Sequence, residues 1–495
     1  MKYLLGIDVG TTGTKALLFR EDGKLMGQAY EGYSIHTPNP GYCEQTPEDW
    51  WNALCHTVRQ VCADPQIRRK IAALCLSTQG GTTLCVDANG KALRPAIVWN
   101  DQRCGEELKN LRQELPNLNV YRTCGWYAAA AMPALQCRWL AKHEPEIFRQ
   151  TAAFLSVPDY LSLRLTGKAV IDPSNAGICR FLNVRTGRYD ADILGYASLR
   201  EEQLPTLLPS GAPVGTLTEE AANALDLPQN TVLVSGAHDQ YAVSLGAGMF
   251  CKGDLLIGSG TSWVITSLSD SPEFDTGLSQ SVSAVPGMWG SLRSLSSGGV
   301  CLEWLRKNIS SAADGTLPDY DTINHEVSTR RAALDGLFFF PFSGRSGEKS
   351  LFRKATLTGM DLSHDKFHIA RAIMEGVAFQ TRWMAESFSA KPGEDGIILA
   401  GGAAKSRVWT QILADITGLP VKVPENPELA CIGAAVLAGV GCGLYSDVQT
   451  GYEKLAVRNR TVMPDPDLHA QYEKAYQQYK ASAASLAEMY RGNQE

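Results

Sequence analysis

No apolar run in this chain of 495 residues is long enough to span a bilayer. The first residues carry one lysine and a short apolar run cut by Asp8, which is not the pattern of a secretion signal. The 13 cysteines are scattered singly from Cys43 to Cys442, and none forms a C-x-x-C pair. A disulfide scaffold therefore has no support, and small, reduced core residues are the simplest reading. Basic residues are not in excess either. Lys plus Arg number 46 against 52 for Asp plus Glu, a net charge of −6, which leaves no polybasic footprint for nucleic acid. These absences point to a cytoplasmic protein with neither membrane nor nucleic acid as partner.

The chain is too long for one hydrophobic core and reads as two domains. One device occurs twice in it. Leu4–Val9, Gly10-Thr11-Thr12-Gly13 and Thr14–Phe19 form an apolar run, a Gly/Thr turn and a second apolar run. Leu255–Ile257, Gly258-Ser259-Gly260-Thr261-Ser262 and Trp263–Ile265 do the same. Each predicts two strands joined by a tight turn. Glycine lets such a turn bring backbone N–H groups up to an anion, and threonine adds a hydroxyl. Two such hairpins suggest a nucleotide held between related domains.

Other elements follow from local grammar. Strands are expected at 27–33, 71–76, 84–87, 232–234 and 396–400, and helices from Thr46-Pro47, over 367–388, over 408–418 and from Ala430. The domain boundary is placed near 246–252. The tail, 467–491, reads as a surface helix of mixed charge. Gly344-Arg345-Ser346-Gly347 reads as a mobile loop or a plain surface turn. Apart from the hairpin there is no legible repeat.

Two carboxylates stand where chemistry could use them. Asp8 ends a strand just before the first glycine turn, where it could hold the hydration shell of Mg²⁺ beside ATP phosphates or simply bond its own turn. Asp239 stands at a strand-to-helix junction, where it could accept a proton from an attacking hydroxyl or merely cap the helix. His238 beside it reads as structural. Gly401-Gly402-Ala403-Ala404 follows a strand and opens a helix, which would let a flat adenine or a phosphate approach the backbone. Trp99, before Asn100-Asp101-Gln102-Arg103, could stack on a sugar or sit in the core.

With these residues in view, the chain resembles the FGGY carbohydrate kinases of the actin/hexokinase-like superfamily over roughly residues 2 to 445. Ala355–Glu375 is similar to the family's C-terminal signature. Ile7–Thr12 and Gly258–Ser262 are similar to its two phosphate motifs, Gly401–Ser406 to its adenosine motif, and Gly236–Gln240 to its catalytic segment. Within the family, Ala96–Arg103, His143–Phe148 and Pro158–Gly167 are most similar to xylulokinases. The sugar-reading turn departs: Gln79-Gly80-Gly81-Thr82 stands where xylulokinases carry Gln-Met-His-Gly, and Gln136 stands where a lysine is usual. Two glycines there suggest a roomier pocket.

The resemblance implies an α/β fold of two actin/hexokinase-like (ribonuclease H-like) domains with an interdomain cleft. Residues 1–248 would bind the sugar, 249–445 would bind ATP, and 446–495 would be a helical tail packing back on the domains. It implies transfer of the ATP γ-phosphate to a hydroxyl of a ketose or polyol, with Asp239 as base and Asp8 on Mg²⁺. The sugar would lie near Gln79, Gly80, Gly81, Trp99, Asp101, Asp239 and Gln240. ATP would lie on Thr11, Thr12, Gly13, Gly260, Thr261, Ser262, Gly401, Gly402, Ala403 and Ser406. A homodimer is also implied. Another sugar or polyol kinase of the family (for glycerol, fuculose or a longer ketose), a sugar- or nucleotide-binding regulator that no longer catalyses, and a bare ATPase stay open on the same fold.

Overall fold

The computed structural model describes residues 1–274, 277–310, 315–341, 354–393, 395–455 and 458–491. The Gly344–Gly347 turn lies outside the described residues.

Two mixed sheets organise the chain. The first contains β1 (Tyr3–Val9), β2 (Gly13–Arg20), β3 (Leu25–Gly32), β4 (Ile71–Thr78), β5 (Pro213–Thr216) and β6 (Val232–His238), in the order β5-β6-β4-β1-β2-β3. The second contains β7 (Leu255–Ser259), β8 (Trp263–Ser269), β9 (Ser279–Val282), β10 (Trp289–Leu295), β11 (Ile397–Gly401), β12 (Val421–Pro424) and β13 (Asn459–Val462). Its order is β9-β10-β8-β7-β11-β12-β13.

The two orders superimpose, strand for strand, from β5 to β3 and from β13 to β10. In each sheet the first hairpin is antiparallel, its second strand pairs antiparallel with a third, and its first strand lies parallel to a distant strand that is parallel to another. The repeat that the sequence betrays only at the hairpin therefore extends across the sheet. Strand pairing carries it, not residue identity.

The helices that matter are α1 (Pro47–Val61), α2 (Pro173–Ile178), α3 (Asp239–Gly246), α4 (Gly299–Asn308), α5 (Lys366–Ala385), α6 (Arg407–Thr417), α7 (Leu429–Gly441) and α8 (Pro466–Arg491). β1 is apolar on both faces because both are covered. Leu5 and Ile7 face a core with Trp50 and Leu54 of α1. Leu4 faces another core, built on α3 and α7, which also takes Leu256, Leu268 and Leu292 of the second sheet. The two helices thus join the sheets. They approach backbone to backbone: a Cβ on Gly246 would stand 1.9 Å from the Leu429 carbonyl oxygen, and one on Gly433 would stand 2.0 Å from that of Ala242.

The tail helix α8 is less superficial than its mixed charge suggests. Tyr472, Tyr476 and Tyr479, spaced by four and three residues, enter the core of the second sheet beside Phe379 and Phe340.

Candidate functional site

The carboxyl ends of the parallel strands β1, β4 and β6 lie together at one end of the first sheet, and those of β7 and β11 at one end of the second, the ends at which ligands bind in open α/β sheets. The β1–β2 turn is held from behind. Tyr33 donates to the Gly10 carbonyl at 2.6 Å, Gln45 to the Thr11 carbonyl at 2.6 Å and Tyr30 to the Thr12 carbonyl at 3.1 Å. With those oxygens engaged, the Thr11 and Thr12 amides donate to no acceptor among the described residues.

The β7–β8 turn repeats the arrangement. Its Gly260 and Thr261 carbonyls accept from Gly299 and Val300 at the start of α4, and the Thr261 and Ser262 amides have no acceptor among the described residues. Gly260, Thr261 and Ser262 are exposed. Unpaired amides grouped in a turn form an anion-binding concavity.

Gly401, Gly402 and Ala403 are stitched to the end of β7. The Gly402 amide donates to the Ser259 carbonyl at 2.7 Å, and the Ala403 amide donates to the Ser259 hydroxyl at 3.0 Å. Gly401 has φ +95°, and a Cβ there would stand 2.7 Å from the Ser259 carbonyl oxygen. Both glycines are exposed beside the second turn. The Ser406 hydroxyl is already engaged: it caps α6 by accepting from the Trp409 amide and donates to Asn324 at 2.7 Å.

Asp8 ends β1 and accepts the Ser77 hydroxyl of β4 at 2.7 Å. Burial pushes its carboxyl up to about 7; the Ser77 bond lowers it, and the Asp239 charge raises it further. The two carboxylates thus share one field. A hydrated dication fits here: it would relieve both charges, and magnesium needs few protein ligands. Among the described residues no three His, Cys, Asp or Glu side chains converge as a protein-only metal cage.

Asp239 opens α3 but does not cap it. His238 is the N-cap residue, and no side chain makes a capping bond. The Oδ1 atom of Asp239 is buried without a hydrogen bond among the described residues, with His238 Nε2 3.2 Å away, and the side chain as a whole is a third exposed. The bland reading, a helix cap, is therefore not what this carboxylate does. His238 is held by structure: its amide donates to the Ser174 hydroxyl at 2.9 Å, and its ring packs on Trp126 and Tyr241. Ser174 is itself bound by Asp172, the N-cap of α2.

The sugar-reading residues divide. Gln79 is buried, donates to Gln45 Oε1 at 2.8 Å, and has an unpaired Oε1. Trp99 is 48% exposed and donates to the Thr11 hydroxyl at 3.1 Å, which puts it at the mouth and not in the core. The Gln240 side chain is half-buried beside Asp239. Asp101 is fully buried. Its oxygens accept from the Cys43 amide at 2.6 Å and from Arg103 at 2.9 to 3.0 Å, so it braces the loop from behind.

The glycines do not open a roomier pocket. A Cβ on Gly80 would stand 2.4 Å from Ile178 Cγ2 and 2.7 Å from His238 Cδ2, so those two side chains occupy the volume. Gly81 has φ +72°, a conformation side chains rarely adopt. Sequence reading missed Ser77, Gln45, Ser174 and the α4 start. Asp172-Pro173-Ser174 was a readable capping signal for α2; the other contacts come from residues distant in sequence.

The chain matches the FGGY family of carbohydrate kinases through its N-terminal domain over residues 3–246 and its C-terminal domain over 255–442. It is 29% identical to the gluconokinase of Bacillus subtilis (90% of this chain, 87% of that one) and 28% identical to the xylulose kinase of Escherichia coli (95% and 96%). Its fold is similar to the crystal structure of xylulose kinase from Rhodospirillum rubrum, with a TM-score of 0.90 at 28% identity over 99% of this chain and 100% of that one. Matched through both domains along nearly its whole length, this chain, with its two actin/hexokinase-like domains, is a member of the FGGY family of carbohydrate kinases, a sugar phosphotransferase.

Proposed function

We propose that this protein transfers the ATP γ-phosphate to a hydroxyl of a ketose or polyol, with Asp239 as the base. The observation that carries the reading is the Asp239 carboxylate, a third exposed at the carboxyl end of β6, with no hydrogen bond to Oδ1 among the described residues and His238 Nε2 3.2 Å from it, beside a fold whose β1–β2 and β7–β8 turns each carry free amides.

In this reading the γ-phosphate lies on Thr11, Thr12 and Gly13, with Thr261 and Ser262 opposite. The rest of ATP lies against Gly260, Gly401, Gly402 and Ala403. Ser406 positions that turn by capping α6. The sugar lies between Trp99 and Gln79 on one side and Gln240 on the other, and Asp101 fixes the loop that carries Trp99. The sugar hydroxyl gives its proton to Asp239 as its oxygen bonds to the γ-phosphorus, and the bond from phosphorus to the ADP oxygen breaks. Asp8 would hold Mg²⁺ through its water shell; when bound, the ion offsets phosphate charge. The thirteen unpaired thiols favour a reducing, cytoplasmic setting.

The test is ADP release from Mg-ATP with and without ketoses, polyols and aldonates. Sugar-dependent release supports the reading. Release that ignores every sugar would make the protein an ATPase, and nucleotide binding without release would make it a regulator.

A further inference from the structure

His238 is the N-cap residue of α3, and its imidazole is buried. The backbone beneath the ring is fixed. The Asp172 carboxylate accepts from the Ser174 amide at 2.9 Å and from the Ser174 hydroxyl, whose oxygen in turn accepts the His238 amide at 2.9 Å. Two aromatic residues box the ring, and each is tied to the second sheet. Trp126 stands edge-on to it and donates its indole N–H to the Ser281 hydroxyl of β9 at 2.9 Å. Tyr241 lies 5.8 Å away between ring centres and donates its hydroxyl to the Gly290 carbonyl of β10 at 3.0 Å. Gly80 leaves the ring its room: a Cβ there would stand 2.7 Å from Cδ2 and 3.1 Å from Nε2.

Held in this way, the ring has one nitrogen with a polar neighbour. Nδ1 is sealed from solvent and has no hydrogen bond among the described residues. Nε2 lies 3.2 Å from Asp239 Oδ1, itself sealed and without a hydrogen bond. A neutral imidazole carries a proton on one nitrogen and a lone pair on the other. A proton on Nδ1 would be a buried donor without an acceptor, and it would set the Nε2 lone pair against a carboxylate oxygen. A proton on Nε2 meets that oxygen and leaves only a lone pair at Nδ1, the smaller cost. The Asp172 carboxylate is also within electrostatic reach of the ring, but its oxygens are engaged by Ser174 and Asn175. The Nε2–Oδ1 distance suits a hydrogen bond and the alignment falls short of one. Such bonds in ligand-free active sites often tighten when substrate binds.

The consequence falls on the other oxygen. Oδ1 is sealed while the Asp239 side chain is a third exposed, so the open oxygen is Oδ2. We infer that His238 is a positioning residue for the base: its Nε2–H holds Oδ1, which turns the carboxylate so that Oδ2 receives the proton of the sugar hydroxyl. This rests on the kinase reading for its rates and not for its tautomer.

The first measurement is the tautomer of His238 in the wild-type protein, by long-range ¹H–¹⁵N NMR correlation on ¹⁵N-histidine-labelled protein, the signals identified by their absence from a His238 variant. The expected form is neutral with its proton on Nε2. A proton on Nδ1 overturns the inference whether or not the protein turns over a sugar. The second measurement is kcat and both KM values for His238→Gln and His238→Leu, with melting temperatures beside them. Glutamine keeps an N–H donor at about the reach of Nε2, and leucine fills the space without one. In the leucine variant kcat should fall about 10- to 100-fold, the size of one hydrogen bond to a charged group, and in the glutamine variant less than about fivefold. The KM values for sugar and ATP should stay within about threefold in both, because the bond acts on the reacting carboxylate and not on binding. Equal kcat in the two folded variants overturns the inference, since the ring would then only pack. A proton on Nε2 in a wild type that never releases ADP supports the His238–Asp239 contact, while sinking the kinase reading.

Discussion

The Trp99 indole donates to the Thr11 hydroxyl across 3.1 Å, joining the proposed sugar wall to the turn proposed for the γ-phosphate. The ring is half exposed, so stability does not depend on this bond. Trp99→Phe keeps an aromatic face and loses the bond. The KM values for sugar and ATP should rise together by about 2- to 10-fold, the size of one hydrogen bond, with the melting temperature nearly unchanged. A change confined to one substrate would show that the bond does not couple them.

Gly80 and His238 compete for one volume. Gly80→Ala places a methyl 2.7 Å from the imidazole and should cost about 1–3 kcal/mol by overpacking, and it should lower kcat by moving the residue next to Asp239. His238→Ala alone leaves a cavity. In the double variant the two losses should sum to less than their separate values, because each relieves the other, and chemical denaturation reads that coupling. Strict additivity would mean that the clash is relieved elsewhere, through Ile178.

Asp8 sets a pH dependence with a definite sign. Its native carboxyl, raised to about 7, binds a proton more tightly than in the unfolded chain. Its favourable contribution is complete below about pH 4 and is lost as pH rises through about 7. Asp8→Asn should therefore stabilise the ligand-free protein at pH 8 by about 1–3 kcal/mol and have little effect at pH 4. The same substitution should reduce Mg-ATP turnover by at least about 100-fold. Melting curves at the two pH values check the first part, and steady-state rates check the second. Equal melting shifts at both pH values would contradict the assignment.

How much of this was legible depends on whether the signal was local. The Gly10–Gly13 turn, the start of α1 at Pro47 and the start of α3 at Asp239 are written in adjacent residues, and the structure places them there. β6 runs four residues past the expected Val234, to His238. It can do so because Gly236 lets the Leu76 carbonyl approach where a Cβ would stand 1.7 Å away, and that partner lies 160 residues upstream. Asp101, expected at the sugar, is instead fully buried with its oxygens held by Cys43 and Arg103, an enclosure that is tertiary and not readable from its neighbours in sequence. The pocket misreading has the same origin: residue size at 80 and 81 says nothing of Ile178 and His238 until the chain is folded.

The most direct test of the account is Asp239→Asn, an isosteric change at a carboxylate that makes no cap and whose Oδ1 has no hydrogen bond among the described residues. Sugar-stimulated ADP release should fall by about 10²- to 10⁴-fold, the range for a lost general base, while sugar binding by calorimetry and the melting temperature stay close to wild type. A variant that binds sugar and still releases ADP within about tenfold of the wild-type rate would contradict the claim that Asp239 takes the proton.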